Sequence, residues 1–339
     1  MIPLVLAIAL VWFLVELFQP FHGTPHGQIT VRIPPRSSSS AIGDLLAKDG
    51  VVSSSFFFEL RATLAGERSD LRSGTYHLQL GMSYGSALGA LTKVPPAARV
   101  TQLTLIPGKS RGQIDALLRS QGIKGSYLAA TRRSPALNPR TYGAPRSTPT
   151  LEGFLFPSTY FLTEPIKVGA LVAKQLAAFK QQFKTVNMSW ARRHHLTPYD
   201  VLIVASIVEG ETPSEHDRPL IASVIYNRLS QGTLLQMDST VRYAVNNYTT
   251  PITGAQLRSR SPWNTYVHSG LPPTPIDNPG MASIEAAAHP TNTNYLFFVA
   301  KPCGNGSSLF ASNYAQFQAE ENRYNSARKK RGGRSPVHC

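Results

Sequence analysis

The run Thr197–Thr212, TPYDVLIVASIVEGET, restricts the fold more than any other stretch of the chain. Thr197, Pro198 and Asp200 make a helix start: a hydroxyl to accept free N–H groups, a proline pre-set for the first turn, and a carboxylate reaching back. From Val201 to Val208 only Ser206 is polar. No face of such a helix is left for water, so it is predicted to lie inside a domain. The 339 residues, 42% of them hydrophobic, suffice for such a core and for roughly two domains. The helix ends by delivering Glu209, whose carboxyl would be costly to ionise at the end of a buried element. A general acid working near neutral pH needs that property. Glu211 follows two positions on, and residues so spaced do not share a helix face, so the two carboxyls are not expected to form a close pair. The plainer reading makes both a solvated helix end before Pro213.

Met1–Phe18 (MIPLVLAIALVWFLVELF) carries one charge, Glu16, and reads as a membrane-crossing helix. No basic residue precedes it and Gln19–Gly27 has no A-x-A cleavage pattern, so residues 1–21 are expected to be a retained anchor. The net charge of +15 would suit nucleic acid, anionic lipid or an anionic cell-wall polymer, and does not choose among them. Cys303 and Cys339 fit no metal spacing and leave a disulfide open.

The order of elements gives an α+β chain. Residues 22–94 read as a small module: a strand at Ile29–Pro34, helices at Ser40–Lys48 and Ser53–Leu64, a strand at Gly74–Leu80 and a helix at Ser83–Lys93. This order resembles the LysM-type domain, a β-α-α-β unit that binds N-acetylglucosamine-containing glycans. Residues 95–325 form a larger mixed α/β domain, and 326–339 a basic, disordered tail.

Within the larger domain, Glu152-Gly153 ahead of an apolar block places a second carboxylate beside a tight backbone. The helix begun by Asp217 and Pro219 presents Asn227 and Arg228 on its polar side. Gln236 and Asp238 flank Met237, and SPWNTY brings Trp263, Asn264 and Tyr266 to a proline- and glycine-rich run. A flat aromatic with amide hydrogen-bonders suits a sugar cleft, as well as an inert surface loop. Tyr295–Ala300 is expected to be a buried strand, Leu309–Ala311 its partner, and Asn313–Tyr324 a closing helix.

In that order LEGFLFPSTY, ASIVEGET, VIYNRL, LLQMDSTVRYA, SPWNTY, GLPPTPIDNPG and YLFFVA resemble the signature blocks of the YceG-like endolytic murein transglycosylases. Residue by residue, the resemblance puts the catalytic glutamate on Glu209. It leaves Glu211, Glu152, Asn227, Gln236, Asp238, Asn264 and Tyr266 as supporting or substrate-binding positions. It implies cleavage of peptidoglycan glycan strands by one glutamate acting first as acid and then as base, with no metal and no cofactor. It also implies an extracytoplasmic catalytic domain on a single-pass anchor in the cytoplasmic membrane, contact with peptidoglycan synthases or division proteins, and no nucleic-acid partner. The chain departs from the family pattern at Ser158, Gly210 and Ser239, and Pro107-Gly108 lacks the glutamate of the usual turn. A non-catalytic glycan-binding scaffold is the alternative. A pyridoxal-phosphate lyase is disfavoured because Ser189–Ala300 contains no lysine.

Overall fold

The computed structural model describes residues 2–93 and 99–337. The Pro95-Pro96 joint and Cys339 lie outside them; Cys303 is disulfide-bonded. The chain divides into two compact units, with the break between Arg99 and Val100.

The first unit begins with α1 (Ile2–Phe18), an apolar helix whose side chains from Leu4 to Trp12 are mostly exposed. Among the described residues no helix is long and apolar enough to cross a membrane, which corrects the expected spanning anchor. After it, β1 (His26–Ile33) pairs antiparallel with β2 (Gly74–Leu80), Val31 opposite Tyr76. Between them lie α2 (Ser39–Lys48) and α3 (Ser55–Leu64), and α4 (Tyr84–Leu91) follows. Ser38, Ser54 and Ser83 cap these three helices by accepting a backbone N–H. Alternation along the strands turns Val31, Ile33, Tyr76 and Leu78 inward onto Leu46, Phe58 and Tyr84. The order of elements is the expected one, but nothing in it identifies a LysM-type glycan reader.

The second unit is likewise mixed: helices enclosing short antiparallel ribbons. β3 (Val100–Thr104) pairs with β4 (Thr159–Thr163), and α5 (Arg111–Ser120) and α6 (Tyr127–Ala130) lie between them in sequence. Then come α7 (Val168–Phe183), α8 (Ser189–Arg193), α9 (Pro198–Glu211), α10 (Arg218–Ser230), α11 (Asp238–Val245), α12 (Gly254–Leu257) and α13 (Met281–Ala288). The ribbon β5 (Phe297–Ala300) with β6 (Ser308–Ala311), and finally α14 (Tyr314–Lys330), complete it.

Everything in this unit is arranged around α9. Thr197 and Asp200 form a reciprocal capping box, and every residue from Val201 to Val208 is buried. α10, α11 and α13 pack on it. Its one polar core residue is satisfied twice: Ser206 Oγ donates to the Ile203 carbonyl (2.8 Å) and accepts from the Ile276 N–H (3.0 Å). The second bond pins the 270–280 loop to α9, so the sequence's only interruption of the apolar run also places the loop beside the helix end.

Two expectations need correction at the C-terminal side. β5 is half-buried throughout, because one side of its ribbon faces α14 and an open cavity instead of the core. The segment read as a disordered tail is helical to Lys330, and the chain beyond it returns: Cys303 and Asn305 N–H groups donate to the carbonyls of Pro336 and Val337.

Candidate active site

The last turn of α9 sends its two carboxyls in different directions, as the helical spacing requires. Glu209 Oε2 accepts the Gly280 N–H at 3.0 Å, and its Oε1 lies 3.5 Å from the Arg218 guanidinium. The backbone closes tightly around it. A Cβ on Gly280 would lie 3.5 Å from Oε2, and one on Gly108, which has φ +75°, would lie 3.4 Å from Glu209 Cγ. Both oxygens of Glu209 therefore have partners, Oε2 on the 277–280 turn and Oε1 on α10.

Behind Glu209 lies a knot of buried polar groups. Asn278 bridges three segments: Oδ1 accepts from Gly153 and Leu155 N–H groups, while Nδ2 donates to the Lys109 carbonyl and to Glu152 Oε1. Glu152 also accepts from the Arg111 N–H and the Tyr243 hydroxyl. Burial pushes the Glu152 carboxyl up to about 7, against the nearby Arg111 charge and these hydrogen bonds. Asp277 is buried too, and its Oδ1 finds no hydrogen-bond partner among the described residues. Desolvation, then the charges of Glu209 and Glu152, raise its carboxyl well above the usual range.

Glu211 points the other way, into a cavity of about 640 Å³. The Ser239 N–H, at the start of α11, donates to Glu211 Oε1 at 3.0 Å. Burial raises its carboxyl, the Ser239 contacts oppose this, and the neighbouring charge of Asp238 adds to the rise. Gln236, Asp238 and Tyr266 line the same cavity. The Tyr266 hydroxyl donates to Asp238 Oδ1 at 2.7 Å, and Arg228 donates to Gln236 Oε1 at 3.2 Å. Gln236 adopts φ +52°, held there as its N–H donates to the Thr265 carbonyl. The same cavity is also lined by Phe297, Tyr314, Phe317 and Tyr324.

Of the positions singled out from sequence, Glu211, Gln236, Asp238 and Tyr266 are thus brought together. Glu209 does not line this cavity. Glu152 is buried in the Asn278 knot. Asn227 spends its amide on the carbonyls of Thr293 and Tyr295, strapping α10 to the segment entering β5. Asn264 is fully buried, donating to Leu257 and Ser259 carbonyls and accepting the Tyr266 N–H, so it shapes the loop that aims Tyr266. Trp263 packs edge-on against Tyr243 and offers no sugar platform in this cavity. Sequence reasoning passed over Asp277, Asn278 and Arg218. The first two were visible as the single carboxylate and its neighbouring amide in a loop of prolines and glycines. The departures at Gly210 and Ser239 meet: a Cβ on Gly210 would fall 2.8 Å from Ser239 Cβ.

Comparison with known proteins bears on the family and the fold. The sequence model of the YceG-like family matches residues 31–323. An endolytic murein transglycosylase of Bacillus subtilis (strain 168) is 30% identical over 93% of this chain and 90% of its own length. One from Streptococcus pneumoniae (strain ATCC BAA-255 / R6) is 28% identical over 85% of this chain, which spans 57% of that protein. The crystal structure of a putative yceG-like protein from Listeria monocytogenes superposes with a TM-score of 0.57 at 27% identity, over 87% of this chain and 99% of that one. With the fold, the signature blocks and the family match in agreement, the chain belongs to the YceG-like family.

Proposed function

We propose that this chain is an endolytic lytic transglycosylase of peptidoglycan, and that Glu211 is its proton donor, with Glu209 in a supporting place. The observation that carries the assignment is the cavity: Glu211 opens into it beside Gln236, Asp238 and Tyr266, whereas both oxygens of Glu209 are engaged by Arg218 and Gly280. The relatives' activity supports the reaction class.

On this reading the neutral Glu211 gives its proton to the oxygen linking N-acetylmuramic acid to N-acetylglucosamine as the C1–O bond breaks. The carboxylate so formed, oriented by the Ser239 N–H, takes the proton from the muramic C6 hydroxyl while that oxygen bonds to C1. The product is a 1,6-anhydro end, and no water is consumed. The unit carrying the cavity works outside the cytoplasmic membrane, where this polymer lies.

A second reading follows from Asp238 standing in the same cavity: two carboxyls could run an ordinary hydrolysis. Mass spectrometry of the ends released from uncrosslinked peptidoglycan separates the two. Anhydro-muramic ends are expected. Reducing ends would make the protein a hydrolase, and no new ends despite glycan binding would make it a scaffold.

A further inference from the structure

Part of the lining of the Glu211 cavity is aromatic and partly open to water. Phe297 of β5 stacks on Phe317 of α14, ring centroids 5.2 Å apart at 25°, with Tyr314 at 6.0 Å from Phe297. Tyr314 is 58% exposed, and every residue of α14 is exposed or half-buried. The Arg228 guanidinium lies 4.8 Å from the centre of the Phe297 ring and also reaches Gln236, so the aromatic and polar walls are joined into one surface. Aromatic rings grouped at an open cavity and left uncovered are what an apolar-faced ligand would cover.

We propose that Tyr314 and Phe317 form a saccharide subsite, taking the C–H face of an N-acetylated hexose ring in the strand beyond the bond placed at Glu211. This rests on the reaction reading above for the position of that bond. The occupant follows from continuity: one cavity holds the carboxyls and amide that suit hydroxyls and acetamido groups, and also the flat rings that suit the apolar face of a pyranose. A glycan strand presents both surfaces, repeated at every ring.

The test is calorimetric titration of the full chain with a β-1,4-linked N-acetylglucosamine tetramer, which has no muramic residue to cleave. Binding by the unaltered chain is expected to weaken roughly fivefold to tenfold in Tyr314→Ala and to be kept in Tyr314→Phe. Thermal midpoints of both variants should match the parent, because Tyr314 is exposed. No binding by the parent, or equal binding by Tyr314→Ala, overturns the proposal. So does unchanged saccharide binding with loss of self-association in sedimentation, which would make the wall a protein interface. Because the tetramer reports binding without cleavage, failure to find anhydro ends would leave this result standing, and the two readings fail separately.

Discussion

The two sides of the α9 terminus hold the same kind of group and treat it in opposite ways. On one side Glu209, Glu152 and Asp277 sit among backbone N–H groups, an amide and arginines, beside the turns at Gly108 and Gly280. On the other, Glu211 and Asp238 face open space with a few polar neighbours and an aromatic wall. Both environments raise carboxyl pKa values by desolvation, so a shifted acid does not by itself mark the reacting one. Access does. On the proposed reading the closed side holds the turns around the helix end, and the open side reaches the substrate.

The largest expected effect separates these roles. Glu211→Gln should lower cleavage by about 10²–10⁴-fold, the range of a lost general acid, with little change in stability because the amide is nearly isosteric. Steady-state rates beside a chemical denaturation curve check both halves.

Next in size, Asn278→Ala removes four hydrogen bonds from the closed side, leaving the Gly153 and Leu155 N–H groups without that acceptor and the Lys109 carbonyl and Glu152 each one donor short. A loss of about 4 kcal/mol or more is expected by denaturant titration. A loss below about 1 kcal/mol would mean that the knot does not hold these segments.

The third effect is a pH dependence. Glu152 is raised to about 7 in the fold, so the folded state binds the extra proton. Its contribution is fully present below the unfolded value of 4.5 and is lost as pH rises through about 7, amounting to about 3 kcal/mol over that window. Asp277, also raised, pulls in the same direction. The stability difference between the parent and Glu152→Gln should therefore move against the parent from pH 4 to 8, and a flat difference would contradict the buried assignment.

The smallest effect tests the open side. Tyr266→Phe removes the 2.7 Å hydrogen bond to Asp238 at an accessible position. Activity should fall several-fold while stability changes by about 1 kcal/mol or less.

The sequence made α9 legible in full, because its capping residues and apolar run are local signals: Thr197, Pro198 and Asp200 act as read, and Val201–Val208 is buried. β2 keeps the bounds read from its pattern. The half-buried character of β5 was not legible, since a run such as YLFFVA looks the same whether it faces a core or an aromatic-lined cavity. Which of the two carboxyls lines the cavity was hidden for a related reason. Glu209 and Glu211 are equivalent in the helix pattern, and what separates them comes from Gly280, 71 positions from Glu209, and Ser239, 28 positions from Glu211. Glu152 was visible as a carboxylate beside a glycine, but its burial depends on Asn278, 126 positions away. Local chemistry named the candidates, and long-range contacts sorted them.

The measurement that bears most directly on this account is the rate of anhydro-end formation from uncrosslinked glycan strands by Glu211→Gln and Glu209→Gln side by side, both variants confirmed folded. The account predicts that Glu211→Gln is inactive while Glu209→Gln keeps measurable turnover with weakened stability. An inactive Glu209→Gln beside an active Glu211→Gln would contradict it and move the acid to the closed side.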